Sequence, residues 1–274
     1  NTRTRIIKMI ASLHIQASAR DGITYLKQNY FSPPLKIANI TEDKKARCLH
    51  LMLMSSSPGI MDGDNYQIKI EVDENCSLQL HTQSYQRLFN MKTGAVQTMQ
   101  VTLCNKASFT YLPHPTVPHL QSIFTAKNKI HIGKSCRLIW GEILTCGRKL
   151  NGEVFGLSKY HNLTEIYYNT KLVIKENLLI HPTIVDPVLT GQMEGYTHQA
   201  SLIILDEEIN TITIKETIAE LLGTINDIDF GITTAPINGI IIRLLGNKAE
   251  QLHDCLKTIA VLVQKQNIDQ YIEQ

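Results

Sequence analysis

A chain of 274 residues with 43% hydrophobic and 19% charged residues can bury a sizeable core, as one large domain or two small ones. Its net charge of +2, with acids and bases interspersed, argues against the concentrated basic face of a nucleic-acid-binding protein. No apolar run approaches the roughly 18 residues of a membrane span, and the six cysteines contain no C-x-x-C pair, which excludes common zinc sites and leaves free core thiols as the expectation.

The chain opens with Arg3 and Arg5 before an apolar stretch, a faint signal-peptide pattern that Lys8 and His14 interrupt. Ile7, Met9, Ala11, Leu13, Ile15 and Ala17 alternate, so a strand is the better reading and a cytoplasmic protein is expected. Pro33-Pro34 punctuates a loop, and Leu49 to Met54 reads as a strand.

Ser55 to Asp64 then places a Pro-Gly turn and two acids between apolar segments. Asp-Gly is ordinary turn chemistry, so a tight turn competes with a turn that presents carboxylates.

Three segments follow with one pattern. Ile70, Val72, Cys76, Leu78 and Leu80 share their offsets with Val101, Leu103, Ala107, Phe109 and Tyr111, and with Ile130, Ile132, Cys136, Leu138 and Trp140. Each is strand, polar turn, strand, and the turns are Asp73-Glu74-Asn75, Cys104-Asn105-Lys106 and Gly133-Lys134-Ser135. One such unit cannot bury its apolar face alone, so the units are expected to stack as a β-solenoid or a layered sandwich. Three unrelated hairpins are the alternative. Gly133-Lys134-Ser135 has the end of a phosphate loop but lacks its first glycine and its following helix, and reads as a hairpin turn.

Pro113 to Pro118 and His181 to Pro187 read as loops, and Tyr160 to Asn169, Lys171 to Leu179 and Ala200 to Leu205 as strands. Thr213 to Leu222 has helical spacing closed by Gly223; Ile225 to Phe230 and Gly239 to Leu245 read as strands. Lys248 to Gln266 puts Leu252, Cys255, Leu256, Ile259, Leu262 and Val263 on one helical face. The expected architecture is mainly β: a β-rich body over 1–205 and a small α/β part over 206–274 with about two helices, one domain overall.

The common catalytic signatures H-E-x-x-H, G-x-S-x-G and G-x-G-x-x-G are absent. His114 and His119 read as solvated loop residues, His81 as part of a polar strand face beside Gln79 and Gln83, and His198 as structural. Glu142 differs: alternation from Leu138 and Trp140 points it inward, where a carboxylate costs several kcal/mol unless paired. Arg148 is the nearest candidate partner, and a water-filled passage is the other explanation.

Several of these residues fall into longer motifs. Ser57-Pro58-Gly59 with Gly63-Asp64 is similar to a P-G-G-x-x-x-G-D motif, with Ile60 at the second glycine. Trp140-Gly141-Glu142 followed by Gly147-Arg148 and Gly152-Glu153-Val154-Phe155 resembles W-E … G-R-x-x-x-G-E-x-F. Leu112-Pro113 and Gly239 to Gly246 match further segments, and His114-Pro115 stands where an acid is usual. Together these segments resemble the UreD (UreH) family of urease accessory proteins, from about Leu13 to the last helix.

It implies a non-catalytic scaffold that binds apo-urease and recruits UreF and, through it, the GTPase UreG, with a dimer in the accessory complex as one arrangement. Nickel would be transient cargo, no cofactor being held tightly, and would move through an internal polar tunnel. By motif alignment the passage residues are Asp64, Thr82 and Glu142, and Gly59, Gly63, Gly147, Arg148, Gly152 and Glu153 are structural. Two other readings are a carbohydrate-active β-solenoid hydrolase using Asp64 and Glu142 as paired acids, and a purely structural binding module. The hydrolase needs two carboxyl groups about 5–9.5 Å apart in an open cleft.

Overall fold

The structure, a computed structural model, describes residues 10–272, with side chains to residue 264. Ile7 and Met9 of the expected first strand lie outside the described residues. Seventeen strands and two long helices follow in order: β1 (Ile10–Arg20), β2 (Ile23–Phe31), β3 (Leu35–Asn39), β4 (Cys48–Ser55), β5 (Asn65–Val72), β6 (Ser77–Thr82), β7 (Gln86–Leu88), β8 (Ala95–Leu103), β9 (Ser108–Tyr111), β10 (Thr116–Pro118), β11 (Ile123–Ile132) and β12 (Arg137–Thr145). A 3₁₀ turn, Lys149–Asn151, precedes β13 (Lys159–Tyr168), β14 (Lys171–Ile180), β15 (His198–Asp206), α1 (Thr211–Gly223), β16 (Ile228–Thr234), β17 (Gly239–Gly246) and α2 (Ala249–Ile272).

The strands form two stacked sheets. The first runs β14-β13-β11-β8-β5-β1-β2 and the second β16-β17-β15-β12-β9-β6-β4-β3, with β7 and β10 attached at β12. The interior of the first sheet, β1-β5-β8-β11-β13, is parallel, as is β4-β6-β9-β12 in the second.

This topology resolves the three repeated segments. The two strands of each unit do not pair with one another: β5, β8 and β11 lie in the first sheet, and β6, β9 and β12 in the second. The units are therefore coils of a solenoid, and Gly133-Lys134-Ser135 is a crossover between sheets rather than a hairpin turn. Matching offsets fall in register. Ile70, Val101 and Ile130 are direct neighbours across the first sheet, and Leu80, Tyr111 and Trp140 across the second. The turns match as well. Asn75, Lys106 and Ser135, at one offset, all adopt left-handed backbone with φ of 59°, 57° and 54°, and the Cys76 and Ala107 amides close their turns on the Asp73 and Cys104 carbonyls.

Two apolar layers hold the sheets together. Between them lie the inward residues of every coil, with Trp140, Phe109 and Phe124 the largest fully buried side chains. On the outer face of the second sheet, Ile139, Ile143, Leu202, Ile242 and Leu244 pack against Ile214, Ile218 and Leu222 of α1 and Leu252, Leu256, Ile259 and Val263 of α2. Helix α1 begins where the Asn210 side chain accepts the Ile212 and Thr213 amides. The last two strands do not stand apart from the body, because β17 pairs with β15 and carries β16 as the sheet edge. All six cysteines are free, four of them buried.

Candidate polar passage between the sheets

Two successive inward rungs of the first sheet mix polar with apolar side chains, and Ile68, Met99, Asn128 and Thr164 form one of them. Tyr66, Gln97, Ala126 and Asn162 are register partners across β5, β8, β11 and β13, and all point inward. Two cavities lie along this rung. The first, about 90 Å³, is lined by Gln97, Ala126, Asn128, Asn162, Trp140 and Glu142 among others. The second, about 110 Å³, is lined by Tyr66 and Gln97 and by Ser55, Ser57 and Gly59 of the turn before β5. Leu53, Ile68, Thr82, Ser84, Gln86 and Gln97 line both, so the two cavities adjoin.

Glu142 is enclosed by protein, and the surface it retains faces the first cavity. Four neutral side chains surround its carboxyl group. Trp140 Nε1 and Thr164 Oγ1 each donate to Oε1 at 2.8 Å, and Asn162 Nδ2 donates to Oε2 at 2.5 Å. Asn128 Nδ2 reaches Oε1 at 3.3 Å and ties Asn162 Oδ1 and Thr164 Oγ1 at 3.0 and 2.9 Å. Burial pushes the Glu142 carboxyl above its ordinary range; the three short hydrogen bonds, which favour the ionised form, pull against it, and Glu176 adds a smaller upward push. The expected partner is corrected here. Arg148 does not reach Glu142; its exposed side chain forms a two-point pair with the half-buried Glu153, through Nε at 2.9 Å and through Nη2. Glu176 is answered instead by Arg243 of β17, whose Nη2 donates to both carboxylate oxygens at 2.8 and 2.6 Å.

The three proposed passage residues are not equivalent. Thr82 and Glu142 line one cavity. Asp64 lines neither; it is buried in the turn and accepts the Met61 amide at 2.8 Å. The paired-acid geometry of a hydrolase is therefore missing, since the two acids do not face one cleft. Asp62, its neighbour, accepts the Thr93 amide and hydroxyl and the Gly94 amide at 2.7–2.8 Å. Burial opposes its charge slightly, but these bonds hold its carboxyl below the usual range. The turn between β4 and β5 thus uses its acids to fasten backbone.

The glycine motifs have physical reasons. A Cβ at Gly59 would lie 2.5 Å from the Arg87 carbonyl oxygen, because Ile60 bonds to Arg87 and Phe89 on the same edge. Gly147, at φ 122°, passes 2.9 Å from the Pro118 carbonyl by the same construction. Gly63 and Gly152 turn the chain at φ 85° and 78°. Glu153 Oε2 also accepts the Leu120 amide at 3.2 Å, so the motif pins the 147–153 loop to the loop before β11.

A second feature is a row of histidines contributed by β4, β6, the 112–115 loop and α2. His50 Nδ1 and His81 Nε2 stand 3.4 Å apart, with nearly parallel rings. His114 shares a 2.9 Å contact with Thr82 Oγ1 and lies 4.8 Å, ring to ring, from His253 of α2. His114 is thus no solvated loop residue: it lines the Glu142 cavity. His119 is buried against Phe89, and His198 is buried beside Thr197. Burial lowers the pKa of all six. Among the described residues, no group of three or more His, Cys, Asp and Glu side chains is arranged to hold a metal ion.

Sequence reasoning missed Asn128, Asn162, Thr164, Gln97 and Arg243. The signal was present for most of them: Asn128 sits two residues before Ile130, and Asn162 and Thr164 alternate with Tyr160 and Ile166, so each occupies an inward position.

Comparison with known proteins places this geometry in a family. The model of the UreD urease accessory protein family matches residues 9–271. The chain belongs to the UreD family of urease accessory proteins. The urease accessory protein UreD of Flavobacterium johnsoniae is 49% identical over 92% of this chain and 91% of its own length. The corresponding proteins of Acetivibrio thermocellus and Haemophilus influenzae are 36% and 32% identical over 90% and 88% of the chain, and 94% of their own lengths. No helix among the described residues is long and apolar enough to cross a membrane.

Proposed function

We propose that this protein is a non-catalytic scaffold of urease maturation in the cytoplasm. It binds urease lacking its metal, recruits UreF and through it the GTPase UreG, and passes nickel as cargo along the space between its two sheets. One observation carries the reading: two adjoining cavities share a polar rung that ends on Glu142, a carboxyl group with neutral donors around it and open space before it. A carboxyl group so placed offers a hard oxygen ligand of modest strength. A passage needs that modesty, because a closed set of thiolates and imidazoles would retain the ion.

Thr82, Gln86 and Gln97 supply further oxygens along the route. The buried phenols of Tyr111 and Tyr160 are pushed well above their usual values, first by burial and then by Glu142, so they stay neutral there. The test is a pull-down of the purified chain with apo-urease and UreF, followed by reconstitution of urease activity with UreG, GTP and nickel. Capture of both partners and nickel-dependent activation are expected. Activation that is equally fast without this chain overturns the reading.

A further inference from the structure

His50 lies on β4 and His81 on β6, adjacent parallel strands in which Met52 is the partner of His81 and Gln79 the partner of His50. Both side chains therefore point outward from the second sheet, on a diagonal. Their facing nitrogens are 3.4 Å apart, and their rings are 11° from parallel with centroids 5.7 Å apart. That separation is long for a hydrogen bond, whose N···O or N···N distance is commonly about 2.7–3.2 Å. It equals the ligand–ligand edge of a tetrahedron with metal–nitrogen bonds of about 2.0–2.1 Å, which is roughly 3.3–3.4 Å.

We propose that His50 and His81 form a two-imidazole site for a borderline divalent transition-metal ion, completed by water. Two further facts support it. Burial lowers the pKa of both rings, so each presents a neutral nitrogen at neutral pH. The charged and titratable groups around them are few. Glu42 faces His50 and favours a cation, whereas Lys257 and His114 face His81 and oppose one. Two ligands, open water positions and one opposing lysine make a site that fills and empties readily rather than a structural centre. The site lies outside the Glu142 cavity and does not depend on the passage reading.

The experiment titrates Co²⁺ alone into the full chain near neutral pH and follows the visible absorption that imidazole coordination produces. His50→Ala and His81→Ala are each expected to weaken Co²⁺ binding roughly tenfold or more, by loss of one ligand of a pair, and His81→Gln to do the same with hydrogen bonding retained. His161→Ala, on the outer face of the other sheet, is expected to leave binding unchanged. Lowering the pH below the ordinary histidine range is expected to weaken binding, as protons compete. Co²⁺ binding that survives His50→Ala/His81→Ala, or that is lost equally in His161→Ala, overturns the proposal. A failure of nickel transfer in Glu142→Gln would concern the passage only.

Discussion

His253 carries a quantitative prediction. Its ring is 1% exposed, and neither ring nitrogen has a hydrogen-bond partner. Burial, followed by the charges of Lys257 and His114, lowers its pKa from 6.5 to about 4, with Glu250 pulling weakly the other way. Unfolding restores the ordinary value, so the unfolded chain takes up the proton first as pH falls. The sign follows: this stability is fully present above about pH 6.5 and is lost as pH drops towards about 4. A drop of about 2.5 units corresponds to about 3 kcal/mol, at about 1.4 kcal/mol per unit. His198 behaves alike, with a value of about 4 set by burial and Lys149. His253→Phe keeps a ring in the site and removes the titration. Urea unfolding at about pH 7.5 and about pH 4.5 should then show the variant losing roughly 2–3 kcal/mol less than the parent between the two conditions. The residual acid sensitivity belongs to His198 and the carboxylates. Identical pH dependence in parent and variant would refute the reasoning, and so would a variant that is more acid-labile.

Other substitutions separate packing from charge. Gly59→Ala should lower stability by about 1–3 kcal/mol by chemical denaturation, because its Cβ meets backbone at 2.5 Å; Gly152→Ala, with open space around it, should cost about 1 kcal/mol or less, from its left-handed backbone alone. Arg148→Glu should leave the melting temperature nearly unchanged, since the Arg148 side chain is 43% exposed, while increasing proteolysis within 147–154; a large loss of stability would contradict that exposure. Trp140→Phe removes one donor to Glu142 and should slow nickel-dependent activation of urease without weakening capture of its partners; unchanged activation would show that this bond is dispensable.

Much of the fold was legible because the solenoid writes its period into the chain. Identical offsets in three coils became three sets of register partners, and the polar turns became three left-handed residues at one offset. The flanking rungs were hidden by insertions. Ile15 joins the ladder beside Ile70, but β2 and β3 intervene before the matching residues Leu49 and Leu51. The apolar face of α2 was readable from helical spacing, and Leu252, Leu256, Ile259 and Val263 are buried as that spacing requires. The strand expected over 225–230 begins only at Ile228, because the Ile225 amide still bonds back to Leu222 at the end of α1.

The site was less legible. Alternation alone turned Glu142 inward, which is where it lies. Three of its four partners come from β11 and β13, 14 to 22 residues away in the chain. Nearness in sequence selected Arg148, whereas the crossover of the chain between sheets supplied Asn128, Asn162 and Thr164. The histidine row was invisible for the same reason, since β4, β6, the 112–115 loop and α2 each contribute one ring.

The passage itself is tested most directly by nickel loading of apo-urease in a reconstituted system with Glu142→Leu and Glu142→Gln, each checked first for capture of UreF and apo-urease. The account predicts that both variants still assemble, that Glu142→Leu loads nickel far more slowly than the parent, and that Glu142→Gln, which keeps one oxygen towards the cavity, falls between them. Parent-like loading by Glu142→Leu within an intact complex would contradict it.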